Sequence, residues 1–367
     1  MSEVIKRNYL SEQYLCAAKK NFTLQNNLSN SNSKVLIGHF SDIHTDRERF
    51  RNAMKLFERY SPDFVIHTGD TVRWNTDDDS SFFYADIDKR PFPIYNCIGN
   101  HETFNNTRTN SNEELYERFI KPLPNIINED EKCYYYADDD KHKIRVIALH
   151  NYEYYTPEAP QYLRNWYAFL QPQCDWLIKT LKDAAEKDLS VIIFDHEGDE
   201  RIPPNHNDLC FTQRYAPSSP WGPPKFRRQN RPHIVNDIVD AFKHGKALKK
   251  EYEWKDFGQT VKVDTVFEKK GDFICHLSGH FHGDFVGFLP SYPDQLSITM
   301  TCSACYPEGG HNFGEELSDL PRIPGTVSED AVNFYTIDKE KRTISIVRFG
   351  AIVNDEMKMR VGLKLNY

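Results

Sequence analysis

Short apolar runs that end in polar side chains recur along the chain. Runs rich in Val, Ile and Phe occur at residues 35–40, 64–66, 94–98, 191–194 and 273–277. Runs of this length and composition predict buried β-strands. Aspartate, asparagine or histidine follows each run within a few positions. The pattern therefore predicts polar side chains at the ends of buried strands.

Helical periodicity separates several of these runs. Residues 47–60 carry Phe50, Met54 and Phe57 at helical spacing, and residues 174–187 show a similar apolar face. Alternation of strands and helices is typical of an α/β domain. Because open α/β sheets bind ligands at the carboxyl ends of their strands, we expect the polar residues to meet in space.

Further apolar runs predict additional β-strands, and we expect a second sheet packed against the first. They occur at residues 134–137, 144–150, 298–302, 334–337 and 344–349. A short polar segment joins the last two runs and predicts a β-hairpin between them.

The composition divides the chain into three predicted segments. These are a polar N-terminal arm at residues 1–33, a main domain at 34–350 and a C-terminal tail at 351–367. A short helix is expected near residues 12–20. Within the main domain, the proline-rich segment 199–265 is interpreted as an insertion over or beside a cleft, or alternatively as a peripheral loop. Its one predicted helix spans residues 233–243 and ends at Gly245.

Composition and charge narrow the classes of partner. The chain has 367 residues, enough to bury a large core, and its formal net charge is -8. Nucleic-acid-binding faces are usually basic, so this balance argues against a nucleic-acid partner. No apolar run predicts a membrane span or a signal peptide, and Cys302 and Cys305 are interpreted as incidental thiols. We therefore expect a cytoplasmic protein without a membrane partner.

The polar residues at the strand ends form a set suited to metal binding. Carboxylate, amide and imidazole groups are combined in Asp42, His44, Asp70, Asn100, His196, His280 and His282. Divalent manganese, iron, zinc, nickel and cobalt all accept this mixture of oxygen and nitrogen ligands. Each short motif is common by itself, but their joint occurrence at predicted strand ends is specific.

Taken in order, these motifs resemble the calcineurin-like metallophosphoesterase superfamily. Its pattern is Asp-x-His, Gly-Asp, Gly-Asn-His-Asp/Glu, a single His, and Gly-His-x-His. Here it corresponds to Asp42-Ile43-His44, Gly69-Asp70, Gly99-Asn100-His101-Glu102, His196 and Gly279-His280-Phe281-His282. The resemblance spans about residues 34–350 outside the insertion. It implies that family's fold, a layered sandwich of two mixed β-sheets flanked by α-helices.

The resemblance also implies two divalent transition-metal ions and a ligand set for each. Asp42, His44 and His282 would hold the first ion, Asn100, His196 and His280 the second, and Asp70 would bridge both. His280 and His282 are two positions apart, so on an extended segment both imidazoles point to the same face.

The chemistry that this centre implies is phosphoester hydrolysis. Two cations about 3.5–4 Å apart lower the pKa of a bridging water, and the resulting hydroxide can attack phosphorus. His101 is the predicted catalytic side chain, as a general acid or an electrostatic stabiliser at the leaving-group oxygen, or else a partner of a ligand only. Arg73 and Trp74 are weaker candidates for substrate binding, whereas His67 and His150 are interpreted as structural histidines.

The predicted function is hydrolysis of phosphate mono- or diesters by a metal-bridging hydroxide, with a small soluble phosphate ester such as a nucleotide as substrate. Protein phosphatases of the superfamily carry Asp-Arg-Gly after the Gly-Asp motif, and residues 70–75 lack it. The remaining pattern is closer to the cyclic-nucleotide phosphodiesterase and general phosphohydrolase branches. The alternatives are a nuclease acting on DNA or RNA and a catalytically inactive binding protein with the same fold.

Overall fold

The structure is a computed structural model that describes most of the chain. The described residues are 8–29, 34–73, 80–85, 87–103, 110–153, 168–198, 233–254, 259–280, 285–289, 291–299, 325–327, 329–350 and 363–367. Among them, no helix combines the length and the apolar character needed to cross a membrane.

Strands and helices alternate through the first half of the chain, as the hydrophobic pattern predicts. The strands are β1 (Val35–Phe40), β2 (Phe64–His67), β3 (Ile94–Asn96), β4 (Tyr135–Asp139), β5 (Ile144–Ala148), β6 (Ser190–Phe194), β7 (Ala247–Trp254), β8 (Gln259–Val266), β9 (Asp272–Ser278), β10 (Phe285–Leu289), β11 (Tyr292–Thr299), β12 (Ala331–Asp338), β13 (Thr343–Gly350) and β14 (Leu363–Asn366). The α-helices are α1 (Glu12–Ala17), α2 (Lys19–Ser29), α3 (Arg47–Tyr60), α4 (Ser81–Tyr84), α5 (Asn100–Thr103), α6 (Asn112–Leu115), α7 (Gln171–Glu186) and α8 (Ile234–His244).

Two mixed sheets form the centre of the fold. In the first sheet the strand order is β14-β13-β12-β1-β2-β3, and in the second it is β10-β11-β9-β6-β5-β4. Strands β1, β2 and β3 run parallel, as do β5, β6, β9 and β11. The outer strands pair antiparallel. The predicted fold class, a sandwich of two mixed sheets with flanking helices, is confirmed.

Alternating side chains on the strands divide the core into layers. On β1, Val35 and Ile37 lie in the cluster between the sheets, together with Ile192 and Ile298 of the second sheet. Leu36 and Phe40 of the same strand lie in a separate cluster on the outer face, where α3 packs. The period of two along a strand produces this division, because successive side chains point to opposite faces. A third cluster joins α7 and α8 to the second sheet.

Helix α3 has the bounds that its apolar spacing predicts. Asp46 caps its start by accepting hydrogen bonds from the backbone N–H groups of Glu48 and Arg49. Ser61 ends it in the left-handed conformation, with φ at 45°. The buried Phe50 and Phe57 hold the helix against β1. The short loop between β1 and α3 is therefore anchored by packed elements on both sides.

The N-terminal segment packs on the first sheet through aromatic side chains. Phe22 contacts Phe349 with ring centroids 4.8 Å apart, and the Tyr14 hydroxyl accepts a hydrogen bond from the Gly350 N–H at 2.6 Å. Helices α1 and α2 together are longer than the single short helix expected from the sequence. The division of the chain at residues 33 and 351 remains a prediction.

The predicted insertion contains a hairpin that the sequence analysis missed. Helix α8 begins and ends one residue later than predicted, and Gly245 caps it in the left-handed conformation. Strands β7 and β8 then follow as an antiparallel pair. Val261 and Val263 are buried and alternate with charged residues, so period-two alternation was the available signal. Residues 199–232 of the insertion and residues 300–302 of the predicted strand 298–302 lie outside the described residues.

Gly38 of β1 tests the contact between the first sheet and α3. A Cβ atom at Gly38 would lie 2.5 Å from Phe57, whose ring is fully buried. We expect Gly38→Ala to lower the free energy of unfolding by about 1–3 kcal/mol through overpacking. Denaturant unfolding would measure this loss. The double variant Gly38→Ala/Phe57→Leu should recover part of it, and equal losses in both variants would contradict the steric explanation.

Candidate metal centre

Five loops at the carboxyl ends of parallel strands bring most of the predicted ligands together. Asp42 and His44 follow β1, Asp70 follows β2, Asn100 follows β3, His196 follows β6 and His280 follows β9. All six are almost completely buried except His280, which is partly buried. His282 lies outside the described residues, and its place in the ligand set remains a prediction. Both sheets contribute residues, so the centre lies at the edge where they meet.

The ligand loops adopt a backbone conformation that is unfavourable for most side chains. Asp42, His44, Asp70 and His280 have φ values of 53°, 51°, 58° and 68°. Non-glycine residues in this region store strain of order 1–3 kcal/mol each and cluster at functional sites. Hydrogen bonds between the loops hold this geometry. The Asp42 N–H donates to the Gly69 carbonyl at 2.9 Å, and the His44 N–H donates to the Asp70 carbonyl at 3.0 Å.

The Asp70 carboxylate lies at the centre of the imidazoles. Its Oδ2 atom is 3.3 Å from His196 Nε2, 3.8 Å from His101 Nε2 and 3.9 Å from His44 Nε2. Three imidazole nitrogens therefore face one carboxylate oxygen from different loops. A carboxylate in this position can share its two oxygens between neighbouring cations.

A second convergence involves Asn100. Its Oδ1 atom lies 3.1 Å from His196 Nε2 and 3.0 Å from His280 Nδ1, and these two imidazole nitrogens are 3.1 Å apart. Asp42 lies beside the same loops. Its Oδ2 atom accepts hydrogen bonds from the Ser41 hydroxyl and, at 3.1 Å, from the His280 N–H, while Oδ1 is 3.9 Å from His44 Nε2.

Side-chain atoms that could hold a metal ion form two groups that share Asp70, and one of these groups contains His101, which is not among the predicted ligands. One group comprises His44, Asp70 and His101, the other comprises Asp70, His196 and His280, and within each group the atoms lie within 4.8 Å of one another. Mixed imidazole and carboxylate sets suit manganese, iron, zinc, nickel and cobalt. The donor chemistry and the shared carboxylate thus fit two adjacent divalent ions.

Electrostatic interactions between the buried groups are strong. Burial raises the pKa of the Asp70 carboxyl, but His196 and His101 outweigh burial and hold its pKa well below the usual range. Burial lowers the pKa of His196, whereas the Asp70 carboxylate raises it, and the net pKa is about 10. Burial raises the pKa of Asp42 to about 7. His196 and Asp70 therefore each favour the charged form of the other.

The Glu102 carboxylate holds the loops that follow β2 and β3 by accepting hydrogen bonds from their backbone. One carboxylate oxygen accepts hydrogen bonds from the Asp70 and Gly99 N–H groups at 3.0 and 2.7 Å, and the other from Thr71 and Val72 at 2.6 and 3.1 Å. Burial and the nearby Asp70 charge raise the pKa of Glu102 to about 7, against the effect of these donors. The Gly-Asn-His-Glu motif includes Glu102, but the motif alone does not indicate that this carboxylate receives four backbone donors.

Asn151 performs a similar task for the His196 loop and was missed by the sequence analysis. Its Oδ1 atom accepts from the N–H groups of His196 and Glu197 at 2.8 and 3.2 Å, and its Nδ2 atom donates to Asp195 at 3.2 Å. Asn151 follows β5, whose end carries no recognisable motif. The register of β5 beside β6 brings it to this loop, and sequence spacing gives no signal for such a contact.

His101 lies at the rim of the centre. Its Nδ1 atom contacts the Arg73 carbonyl, and its backbone N–H donates to Asp70 Oδ1 at 3.0 Å. Its ring meets that of His44 edge-on, with centroids 4.6 Å apart. The Arg73 N–H donates to Thr45 Oγ1 at 2.9 Å, so the Arg73 loop is tied to the β1 loop. Trp74 lies outside the described residues.

His67 and His150 have the contacts of structural histidines. His67 Nδ1 lies 2.6 Å from Asn96 Oδ1, and His150 Nε2 lies 3.1 Å from Asn112 Oδ1. Burial lowers the pKa of each to about 3, so both rings stay neutral. Neither belongs to the two groups of ligand atoms.

Comparison with known families identifies the class of protein to which this fold and these candidate ligands belong. The model of the calcineurin-like phosphoesterase family matches residues 35–284, which is more than half of the chain. The chain therefore belongs to the calcineurin-like phosphoesterase family, as the motifs predict. No curated protein sequence matches it significantly.

Comparison with solved structures found matches of low sequence identity. A dimetal phosphatase from Danio rerio is 13% identical, with a TM-score of 0.55 over 91% of this chain and 99% of that one. A predicted phosphoesterase from Streptococcus pneumoniae TIGR4 is 11% identical, with a TM-score of 0.33 over 91% and 98% of the two chains. At these identities the likeness to the Danio rerio protein shows a shared fold.

Glu102 provides a test of how the ligand loops are held. We expect Glu102→Gln to lower the free energy of unfolding, because an amide replaces one acceptor oxygen by a donor. Each buried N–H left without an acceptor costs on the order of 1–3 kcal/mol. Denaturant unfolding of the metal-free protein at mildly alkaline pH would measure the loss. Glu114→Gln is the control, since Glu114 accepts one backbone N–H in an exposed capping box. Equal stabilities of the two variants would contradict the role given to Glu102.

Proposed function

We propose that the protein is a dimetal phosphoesterase that hydrolyses phosphate mono- or diesters of small soluble molecules such as nucleotides. The observation that carries the proposal is the pair of ligand groups that share Asp70 at the carboxyl ends of strands from both sheets. Membership of the calcineurin-like phosphoesterase family supports it, and so does the likeness of fold to a protein described as a dimetal phosphatase. The cytoplasmic location expected from the sequence remains a prediction.

The proposed ligand sets follow the motif order. Asp42, His44 and His282 would hold one ion, Asn100, His196 and His280 would hold the other, and Asp70 would be shared by both. Divalent ions in such a pair acidify water and offset negative charge on phosphate oxygens. A cation at each group would also supply positive charge beside the buried Asp70 carboxylate.

The side chains around the ligands orient them for this purpose. His196 Nδ1 lies 2.7 Å from the Thr68 carbonyl, which can accept its proton and leave the Nε2 lone pair directed toward Asp70 and Asn100. Such contacts fix the tautomer and the ring plane of a metal-binding histidine. Because the ligands are almost completely buried, little water surrounds them and their electrostatic interactions are correspondingly strong.

His101 is the proposed proton donor to the leaving-group oxygen. The Arg73 carbonyl accepts from Nδ1, so Nε2 is the atom that faces the centre, 3.8 Å from Asp70. Because Nδ1 carries the proton donated to the Arg73 carbonyl, His101 would act as a donor in its imidazolium form, in which Nε2 also carries a proton that can pass to the leaving-group oxygen. Arg73 and Trp74, which follow Asp70 closely in the sequence, are proposed to contact the phosphate or the group it carries.

Removal of the bridging carboxylate tests the proposed function. Asp70→Asn keeps the shape of the side chain but removes its charge. We expect kcat/KM to fall at least about 10³-fold, since metal charge stabilisation supplies several kcal/mol and each 1.36 kcal/mol is tenfold in rate. The assay would use protein loaded with Mn²⁺ and four substrates: p-nitrophenyl phosphate, bis(p-nitrophenyl) phosphate, a cyclic nucleotide and single-stranded DNA.

Asp264→Asn is the matched control for this assay. Asp264 pairs with Lys249 on the exposed β7–β8 hairpin, so its loss removes a charge far from the ligand loops. Its activity should equal that of the wild type. An Asp70→Asn protein that retains full activity would overturn the proposed function. Preferential cleavage of single-stranded DNA would instead support a nuclease.

The role of His101 predicts a dependence on the leaving group. A general acid contributes about 10²–10⁴-fold to the rate, and this contribution matters most when the leaving group is a strong base. We expect His101→Gln to lower kcat/KM for phenyl phosphate much more than for p-nitrophenyl phosphate. Binding of Mn²⁺, measured by calorimetry, should persist in this variant.

The control for His101 is His142→Gln, because His142 lies beside Asp139 at the turn between β4 and β5. It should leave both rates unchanged. Equal losses for the two substrates in His101→Gln would contradict proton donation. Loss of Mn²⁺ binding would assign His101 to the metal ligands instead.

A further inference from the structure

Arg49 of helix α3 is a buried cation close to the metal centre but outside its ligand set. Its side chain is 1% exposed. The guanidinium donates to Asp330 Oδ1 through Nε at 2.5 Å and to Glu329 Oε1 through Nη2 at 2.8 Å. Asp46, the cap of α3, lies 3.5 Å from Nη2. We name Arg49, Glu329 and Asp330 the Arg49 cluster.

The position of the Arg49 cluster follows from the topology of the first sheet. Glu329 and Asp330 come directly before β12, and β12 runs antiparallel to β1. The start of β12 therefore lies beside the end of β1, at the same edge of the sheet as the ligand loops. The Glu329 carboxylate is held there by the Gly325 N–H, which donates to Oε2 at 2.6 Å.

The remaining arm of the guanidinium contacts the ligand loop itself. Arg49 Nη1 donates to the Ile43 carbonyl at 2.7 Å, and the Asp46 N–H donates to the same oxygen at 3.2 Å. Ile43 is the residue between the ligands Asp42 and His44. The N–H on the other side of that peptide group belongs to His44 and donates to the Asp70 carbonyl at 3.0 Å.

The peptide group between Ile43 and His44 is thus held at both ends. Its orientation sets the φ angle of His44, which is 51° and unfavourable for a histidine. Without Arg49, the carbonyl would keep only the longer hydrogen bond from the Asp46 N–H, and the peptide could rotate more easily toward a more favourable conformation and carry the imidazole away from Asp70. The Arg49 contact opposes that rotation.

We propose that Arg49 is a positioning residue for the metal centre, which holds the Asp42–His44 loop in its binding conformation through the Ile43 carbonyl. The proposal rests on the proposed function, because it assigns Asp42 and His44 to a metal ion. A lysine could not replace Arg49, since a single ammonium lacks the planar fork that reaches two carboxylates and a carbonyl at once. Through the Arg49 cluster, the residues directly before β12 thereby influence the metal affinity of the site.

The chain offers a matched control in Arg145 of β5. Its guanidinium is also fully buried, pairs with Asp138 and Asp183 at 2.7 and 2.8 Å, and donates to one backbone carbonyl, that of Thr180, at 2.9 Å. Thr180 lies within α7, and no ligand loop takes part in these contacts. Replacing Arg145 should therefore disturb the fold to a similar degree without moving the ligands.

The experiment measures Mn²⁺ binding to the metal-free, full-length protein by calorimetry, together with its thermal unfolding midpoint. We expect Arg49→Lys to weaken one of two Mn²⁺ sites about 10–100-fold, as is typical when a residue that orients a metal ligand is removed. Arg145→Lys should lower the midpoint to a similar extent and leave both Mn²⁺ affinities unchanged. Asp330→Asn keeps the arginine, loosens its anchor and should weaken the same Mn²⁺ site.

The outcomes separate this inference from the proposed function. Wild-type Mn²⁺ affinities in Arg49→Lys, or equal losses of affinity in Arg49→Lys and Arg145→Lys, would overturn the positioning role alone. Absence of Mn²⁺ binding to the wild-type protein would overturn both proposals. If Arg49→Lys does not fold, Asp330→Asn decides: a weakened site supports the role, and an unchanged one overturns it.

Discussion

Burial of several carboxylates at one edge of the sandwich is the constraint on which the rest of the site depends. Asp42, Asp70, Glu102 and Asp195 are each at most 1% exposed. A buried carboxylate is very unfavourable unless a cation or several donors compensate it. Glu102 receives four backbone N–H groups, whereas Asp70 faces imidazoles. The two carboxylates therefore have different roles. Glu102 holds the backbone of the ligand loops, and the Asp70 carboxylate remains available to interact with cations.

These groups converge only if the two sheets pack in one relative position. The His196 imidazole, which follows a strand of the second sheet, lies against the Thr68 carbonyl of the first. The Gly279 N–H in turn donates to the His196 carbonyl at 2.9 Å, which joins neighbouring loops of the second sheet. Packing of apolar side chains between the sheets therefore determines the geometry of a polar site. The left-handed residues and the Arg49 cluster adjust that geometry locally.

Much of this arrangement was predictable from the sequence, for identifiable reasons. Strands β1 and β6 are buried on both faces, so their apolar runs were continuous and their ends were marked by ligands. The ligand types had a fixed order and spacing. Asn151 and Arg49 were not predictable, because His196 and the carboxylates of Glu329 and Asp330 are far from them in sequence and only the folded chain brings them near. The β7–β8 hairpin was missed because its outward residues are charged and dilute the apolar signal.

The wide separation of the ligands along the chain has a consequence for biosynthesis. Asp42 and Asp70 leave the ribosome early, but His280 lies near the end of β9, at position 280 of 367. A nascent chain that has completed β1, β2, β3 and α5 already carries His44 and His101, which face Asp70, but it still lacks His196 and His280. The group formed by Asp70, His196 and His280 can therefore assemble only after β6 and β9 have been synthesised, later than the group formed by His44, Asp70 and His101.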